Sequence, residues 1–229
     1  MSSFPCPENR NFVRVWDLPT RLFHVALLSC VGGLFITAHM GGLAMPVHFF
    51  LGYLVLSLIL FRICWGFLGG HWSRFSQFVP SPRQLLQYVR KSSQNSEIGH
   101  NPLGAISVLI MLLVLLLQVL SGFCSDDEIA AAGPWTSWVH SDWIERCTHY
   151  HTDIGQFLLM GLIGMHIAAV LYYKWFQRKN LITPMLTGDK PLPATTIASQ
   201  DNWKTRLFAL LIWCAAFGLT WQLTTLRLV

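Results

Sequence analysis

The sequence predicts an all-α membrane protein crossing the bilayer five times. Three observations carry this. Of 229 residues, 53% are apolar and only 12% are charged, against roughly 25% charged in a soluble globular chain. Ten Trp and fifteen Phe crowd one short chain, and Trp in particular favours membrane interfaces. Five apolar stretches, residues 22–39, 47–68, 103–123, 153–175 and 206–223, approach or exceed the roughly 20 residues that span a bilayer as a helix. Lipid offers no water to pair backbone groups, so each stretch must be helical. This composition excludes a disordered chain, a collagen-like chain and a nucleic-acid-binding arm.

The elements follow in order. The chain opens on a polar segment with Glu8, Arg10, Arg14 and Asp17. The apolar run after it is longer than a signal-peptide core and has no clear small-residue cleavage motif, so it reads as an uncleaved first span. The loop to span two has no formal charge. Spans two and three are joined by a segment with Arg74, Arg83, Arg90 and Lys91. Within that segment, His71 to Pro82, with Trp72, Phe75 and Phe78, suits the membrane surface or one wall of a quinone pocket. Span three follows Gly99-His100-Asn101-Pro102, where Pro102 fits a first helical turn. The next loop holds Asp126, Asp127, Glu128, Asp142 and Glu145 against a single Arg146. Spans four and five are joined through Lys174, Arg178, Lys179, Lys190, Lys204 and Arg206.

Basic residues mark the cytoplasmic side of a membrane protein. The N-terminus is therefore expected in the cytoplasm, and the acidic loop and the C-terminus in the periplasm. The net charge of +5 becomes mainly a topology signal, with contact to anionic lipid headgroups. It requires no nucleic-acid partner.

Polar groups at membrane depth are functional candidates by default. Carboxylates there are nearly lacking, so a carboxylate proton relay has no parts. Histidine is plentiful, at positions 24, 39, 48, 71, 100, 140, 149, 151 and 166. Imidazole is an axial ligand of haem iron, and a six-coordinate b-type haem needs two His at one depth on facing helices. Span one runs outward and puts His24 near its inner end. Span two runs inward and puts His48 near its outer end. On span four, His166 lies about 22 Å deeper than His151 and within about 60° of the same face. His24 thus matches His166 on the inner side, and His48 matches His151 on the outer side. His39 stands at the outer end of span one with the same spacing from His24, so depth and phase leave it open as an alternative to His48. His149 competes with His151, which helical phase favours. His71 reads as an interface residue, His140 as a loop residue, and His100 as part of an entry turn.

The residues Val13-Arg14-Val15-Trp16-Asp17-Leu18-Pro19-Thr20-Arg21-Leu22-Phe23-His24 resemble the opening of bacterial cytochrome b561 proteins, in the branch grouped with the cytochrome b subunits of nickel–iron hydrogenases. Three later stretches agree. They are His48 with Gly52-Tyr53 and Phe61-Arg62-Ile63-Cys64-Trp65-Gly66, then Gly99-His100-Asn101-Pro102-Leu103-Gly104, then His166 with Asn180, Met185, Gly188 and Lys190. The resemblance implies a four-helix haem-binding transmembrane core over residues 1–190. Residues 191–229 are then a linker and a fifth, C-terminal transmembrane helix. It also implies two non-covalently bound b-type haems with His24, His48, His151 and His166 as axial ligands. His48 is preferred over His39 on this ground, because the family's ligand sits just before the Gly-Tyr pair. Thr152 follows His151 where the family often carries an acidic residue.

Arg21 lies one turn before His24, and Arg62 lies within about 40° of the face of His48. Each suits a haem propionate, or snorkelling to the headgroups. No C-x-x-C-H motif indicates covalent haem. Cys30, Cys64 and Cys214 read as packing residues. Cys124 and Cys147 border the acidic loop, where an oxidising periplasm permits a disulfide. Trp135, Trp138 and Trp143 in that loop suit an aromatic belt or a docking surface for a positively charged electron carrier. The expected function is transmembrane electron transfer between quinone and a periplasmic partner, such as a c-type cytochrome or a hydrogenase-like protein. No catalytic side chain is assigned. The alternatives are a superoxide oxidase-type quinone-reducing enzyme of the same family, and a haem-free transporter or assembly subunit.

Overall fold

Helix α1 (Leu18–Met40) starts where Asp17 caps it, its carboxylate accepting from Thr20 N at 2.8 Å. It stops at Gly41. Gly41 and Gly42 hold φ of +58° and +48°, a region that side chains rarely enter. This tight turn folds α2 (Met45–Leu68) back along α1. In this computed structural model the described residues are 10–91, 99, 101–129 and 131–225, so His100 and Cys6 lie outside them. The chain continues through α3 (Phe75–Phe78), α4 (Pro82–Lys91) and α5 (Pro102–Phe123). Asn101 caps α5 by accepting from Gly104 N at 2.6 Å. Next come α6 (Ser141–His149), a π turn over Tyr150–Gly155, α7 (Gln156–Trp175), α8 (Ile182–Thr187) and α9 (Trp203–Thr225).

Among the described residues, five helical segments are long and apolar enough to cross a membrane. The fourth begins earlier than its hydropathy suggests: α6, the π turn and α7 run on from Ser141 to Trp175 as one rod. Its first turns are polar, so a hydropathy boundary falls at residue 153 and misses them.

Helix α2 is the centre of the bundle. Val55, Ile59, Phe61 and Trp65 are buried among Phe23 of α1, Val119 of α5 and Ala209 of α9. Helix α9 lies along α2 and also touches α1. Helix α7 packs chiefly on α5, and only Leu159 of it is fully buried.

One end of the bundle carries a two-stranded ribbon. Strand β1 (Arg10–Arg14) pairs antiparallel with β2 (Asp189–Pro193), from Arg10↔Pro193 to Arg14↔Asp189. The 190/191 boundary expected between core and linker falls inside β2. Val13, Val15 and Leu192 bury each other beside Trp72. Arg14 locks the ribbon to the approach to α9, pairing with Asp189 at 2.6 Å and with Asp201 at 2.7 Å. Arg206 reaches the other oxygen of Asp201 at 2.8 Å.

Behind the ribbon, Asp17 is fully buried. Beyond Thr20 N, its carboxylate accepts from Trp65 Nε1 at 3.3 Å, Gly70 N at 3.2 Å and Ser73 Oγ at 3.0 Å. One side chain thereby joins the start of α1, the end of α2 and the turn beyond it. Buried charge is tolerated only when hydrogen bonds satisfy it in this way.

Burial raises the Asp201 carboxyl, but hydrogen bonds from Arg206, Leu18 N and Arg14 outweigh it and hold the carboxyl below its ordinary value. A depressed carboxyl stabilises the fold above its unfolded pKa of about 4, and this is lost as pH falls through the folded value. Asp201→Asn is expected to cost about 1–3 kcal/mol near neutral pH. The cost should shrink toward zero as thermal melts in detergent are taken below about pH 4. A pH-independent difference would contradict this account.

Candidate functional site

Four histidines point into the bundle in two pairs. At the acidic-loop end, His48 in the first turn of α2 faces His151 in the π turn. Their ring centroids are 6.2 Å apart and their planes stand at 88°. His48 Nδ1 lies 3.2 Å from the Leu34 carbonyl of α1 and 3.1 Å from Thr37 Oγ1. His151 Nδ1 lies 2.8 Å from the Gln118 carbonyl of α5. A carbonyl oxygen only accepts, so each Nδ1 carries the proton and each Nε2 keeps its lone pair. Imidazoles that bind metals are fixed in this way, the distal N–H donated to a carbonyl.

A cavity of about 320 Å³ opens beside the pair, lined by both rings and by Leu34, Gly52, Gln118 and Gly122. Gly122 is there for space: a Cβ on it would stand 2.7 Å from His151 Cε1. His151 is held further because Gln118 Nε2 donates to its backbone carbonyl at 2.9 Å. Gln118 Oε1 is buried without a partner.

The two rivals at this end stand apart. His39 is exposed, its Nδ1 bonded to Phe35 O of its own helix. His149 is exposed and pairs with Asp153 at 3.0 Å. Neither lines the cavity.

At the ribbon end, His24 of α1 and His166 of α7 are half-buried and close enough to interact electrostatically. Arg21, one turn before His24, donates to Leu186 O at 2.6 Å, while its Nε is buried without a partner. Arg62 is buried at 4% exposure, its guanidinium over the rings of Phe75 and Phe78 at 5.1 and 5.7 Å. Arg62 Nη1 also has no acceptor. The segment after α2 therefore turns Phe75 and Phe78 inward, onto Arg62.

The acidic loop is tied down by one of its three tryptophans. Trp135 packs on Phe123 and donates to Leu223 O of α9 at 2.9 Å. Trp138 and Trp143 are exposed. Sequence reasoning overlooked Thr37, Leu34 and Gln118, because two of these contacts go through backbone carbonyls that carry no side-chain signature. It also overlooked the hub role of Asp17.

The donor set narrows the chemistry. Among the described residues, no group of three or more His, Cys, Asp or Glu gathers, so a protein-only tetrahedral zinc site has too few ligands. Two opposed imidazoles fit a metal whose other positions a macrocycle fills, as in haem. The His48 and His151 rings, with centroids 6.2 Å apart, would hold such a group.

Fold and site together define a multi-pass membrane protein with paired imidazoles inside a helical bundle. The chain belongs to the prokaryotic cytochrome b561 family, whose model matches residues 15–188. Membership makes it a b-type cytochrome, with haem b and membrane electron transfer as the family's properties. It is 23% identical over 214 positions to a probable Ni/Fe-hydrogenase B-type cytochrome subunit of Rhizobium leguminosarum bv. viciae, covering 79% of this chain and 90% of that one. The corresponding protein of Azotobacter vinelandii is 23% identical over 210 positions, covering 77% and 87%. A probable Ni/Fe-hydrogenase 1 B-type cytochrome subunit of Escherichia coli (strain K12) is 24% identical over 227 positions, covering 82% and 94%. No solved structure matches the chain.

Gly122→Ala is expected to push the His151 ring aside and lower stability by about 1–3 kcal/mol, read as a lower melting temperature in detergent. Gly161→Ala, where a Cβ meets nothing within 4 Å, is the control and should melt no lower than the parent. Equal effects at the two positions would contradict the close approach at Gly122.

Proposed function

We propose that this chain is a di-haem b-type cytochrome that carries electrons across the membrane between the quinone pool and a redox partner beyond the acidic loop. The reading rests above all on the opposed His48 and His151, each with Nδ1 tied to a neighbouring helix and Nε2 free. These two would hold one haem, and His24 and His166 the other.

The haem iron supplies one-electron redox chemistry, and the chain supplies everything that positions it. Leu34 O and Gln118 O hold the imidazoles in one tautomer and one orientation, and hydrogen bonding at Nδ1 raises the basicity of Nε2. The buried, unpartnered nitrogens of Arg21 and Arg62 suit the propionates of the group near the ribbon end. His151 and His166 are separated by roughly 22 Å along one helical rod, so one rod would contribute a ligand to each group.

The basic segments beside the ribbon support a cytoplasmic N-terminus, and the acidic loop supports a periplasmic end. The similarity to probable Ni/Fe-hydrogenase B-type cytochrome subunits supports a hydrogenase-like partner there. A c-type cytochrome is the other acceptor or donor that acidic residues would steer.

Purified protein should contain two haem b per chain by pyridine haemochrome assay. His166→Ala should remove one, and His48→Ala or His151→Ala the other, while His39→Ala and His149→Ala keep both. One haem in the parent, or loss of a haem in His39→Ala but not in His48→Ala, would overturn the assignment.

A further inference from the structure

Cys124 and Cys147 stand outside the haem machinery. Cys124 follows α5 directly and Cys147 lies in α6. The acidic loop runs between them. Both are free thiols and half-buried, and they lie close enough to interact electrostatically.

The backbone keeps them together independently of that contact. Asp126 N donates to Thr148 Oγ1 at 3.1 Å, and the same hydroxyl lies 3.4 Å from Asp126 O. Residues 124–126 and 147–148 therefore run side by side. Cys30, Cys64 and Cys214 stand in α1, α2 and α9.

We propose that Cys124 and Cys147 form a disulfide that closes the acidic loop beside the His48–His151 cavity. The oxidant is an external disulfide, a protein oxidant or glutathione disulfide. Burial and the neighbouring sulfur push the Cys124 thiol up to about 11, which leaves the first attack to Cys147. The Cys147 thiolate attacks one sulfur of the external disulfide, forms a mixed disulfide and expels one thiolate. Cys124 then gives up its proton and displaces the second. Two cysteine thiols and one external disulfide become one protein disulfide and two external thiols.

The bridge fastens α6 to the end of α5 one turn ahead of His151. It encloses Asp126, Asp127, Glu128, Asp142 and Glu145 in a single covalent loop. In the cell it rests on the proposed orientation, because disulfides persist on the oxidising side of the membrane.

The test uses the full chain in detergent, incubated with glutathione disulfide or with dithiothreitol, alkylated, and mapped by mass spectrometry. The expected result is a Cys124–Cys147 cross-linked peptide in most of the oxidised protein and two alkylated thiols in the reduced protein. The oxidised protein should melt several degrees higher, and this difference should vanish in Cys124→Ser or, if that variant does not accumulate, in Cys147→Ser. Both thiols fully alkylated after oxidation would overturn the proposal. So would a cross-link to any other cysteine. In intact cells, a membrane-impermeant maleimide should label Cys147 of Cys124→Ser. A bridge in purified protein with Cys147 unlabelled in cells would overturn the orientation and leave the bridge standing.

Discussion

An imidazole inside a bilayer has no water to satisfy it, and its distal nitrogen has to find an acceptor in the protein. For His48 and His151 the acceptors are main-chain carbonyls of other helices, Leu34 O and Gln118 O. This sets the helix arrangement at the acidic-loop end. Helix α1 must lie beside the first turn of α2, and α5 beside the π turn, at a depth fixed to one residue. A helical carbonyl already accepts an N–H from its own helix, so each bond uses a second lone pair. Backbone carbonyls do not vary with side-chain identity, which makes them durable anchors for a ring that must keep one orientation.

The opposite end is organised by charge. Asp17 gathers Thr20, Trp65, Gly70 and Ser73, and Arg14 gathers Asp189 and Asp201. Asp17 and Asp201, whose side chains are buried, each have enough donors to be stable out of water. The two ends therefore use different materials: carbonyl-to-imidazole bonds inside the apolar bundle, and carboxylates with many donors where the chain leaves it. Helix α9 links the two. It starts at the Asp201–Arg206 pair and ends where Trp135 reaches Leu223 O.

Much of this was legible in the sequence, for physical reasons that can be named. Apolar runs at membrane length are strong signals, and all five appear as helices. The depth of each histidine follows from span order, and the structure brings together the same partners, His24 with His166 and His48 with His151. Family likeness favoured His48 over His39; in the fold His39 is exposed and His48 lines the cavity. What stayed hidden was non-local or irregular. The π turn adds a residue to one helical turn and rotates everything beyond it by about 100°. His151 and His166 still share a face after that shift, now offset by about 40° the other way, while His149 moves to about 160° from His166. The β1–β2 ribbon was also out of reach, because its strands, residues 10–14 and 189–193, lie far apart in the sequence and no hairpin turn announces them.

That ribbon has a consequence in time. A membrane chain enters the bilayer from its N-terminus as it is made. Helix α1 is therefore inserted long before Asp189, Ser199 and Asp201 have been synthesised. Until then Arg14 has none of its acidic partners, and the carbonyls of Arg14 and Val15 have no Ser199 to bond. Contacts of such long sequence separation close late. The residues ahead of α1 become fixed only once the segment between α8 and α9 has emerged, so the locking of this first helix waits on the approach to the fifth span.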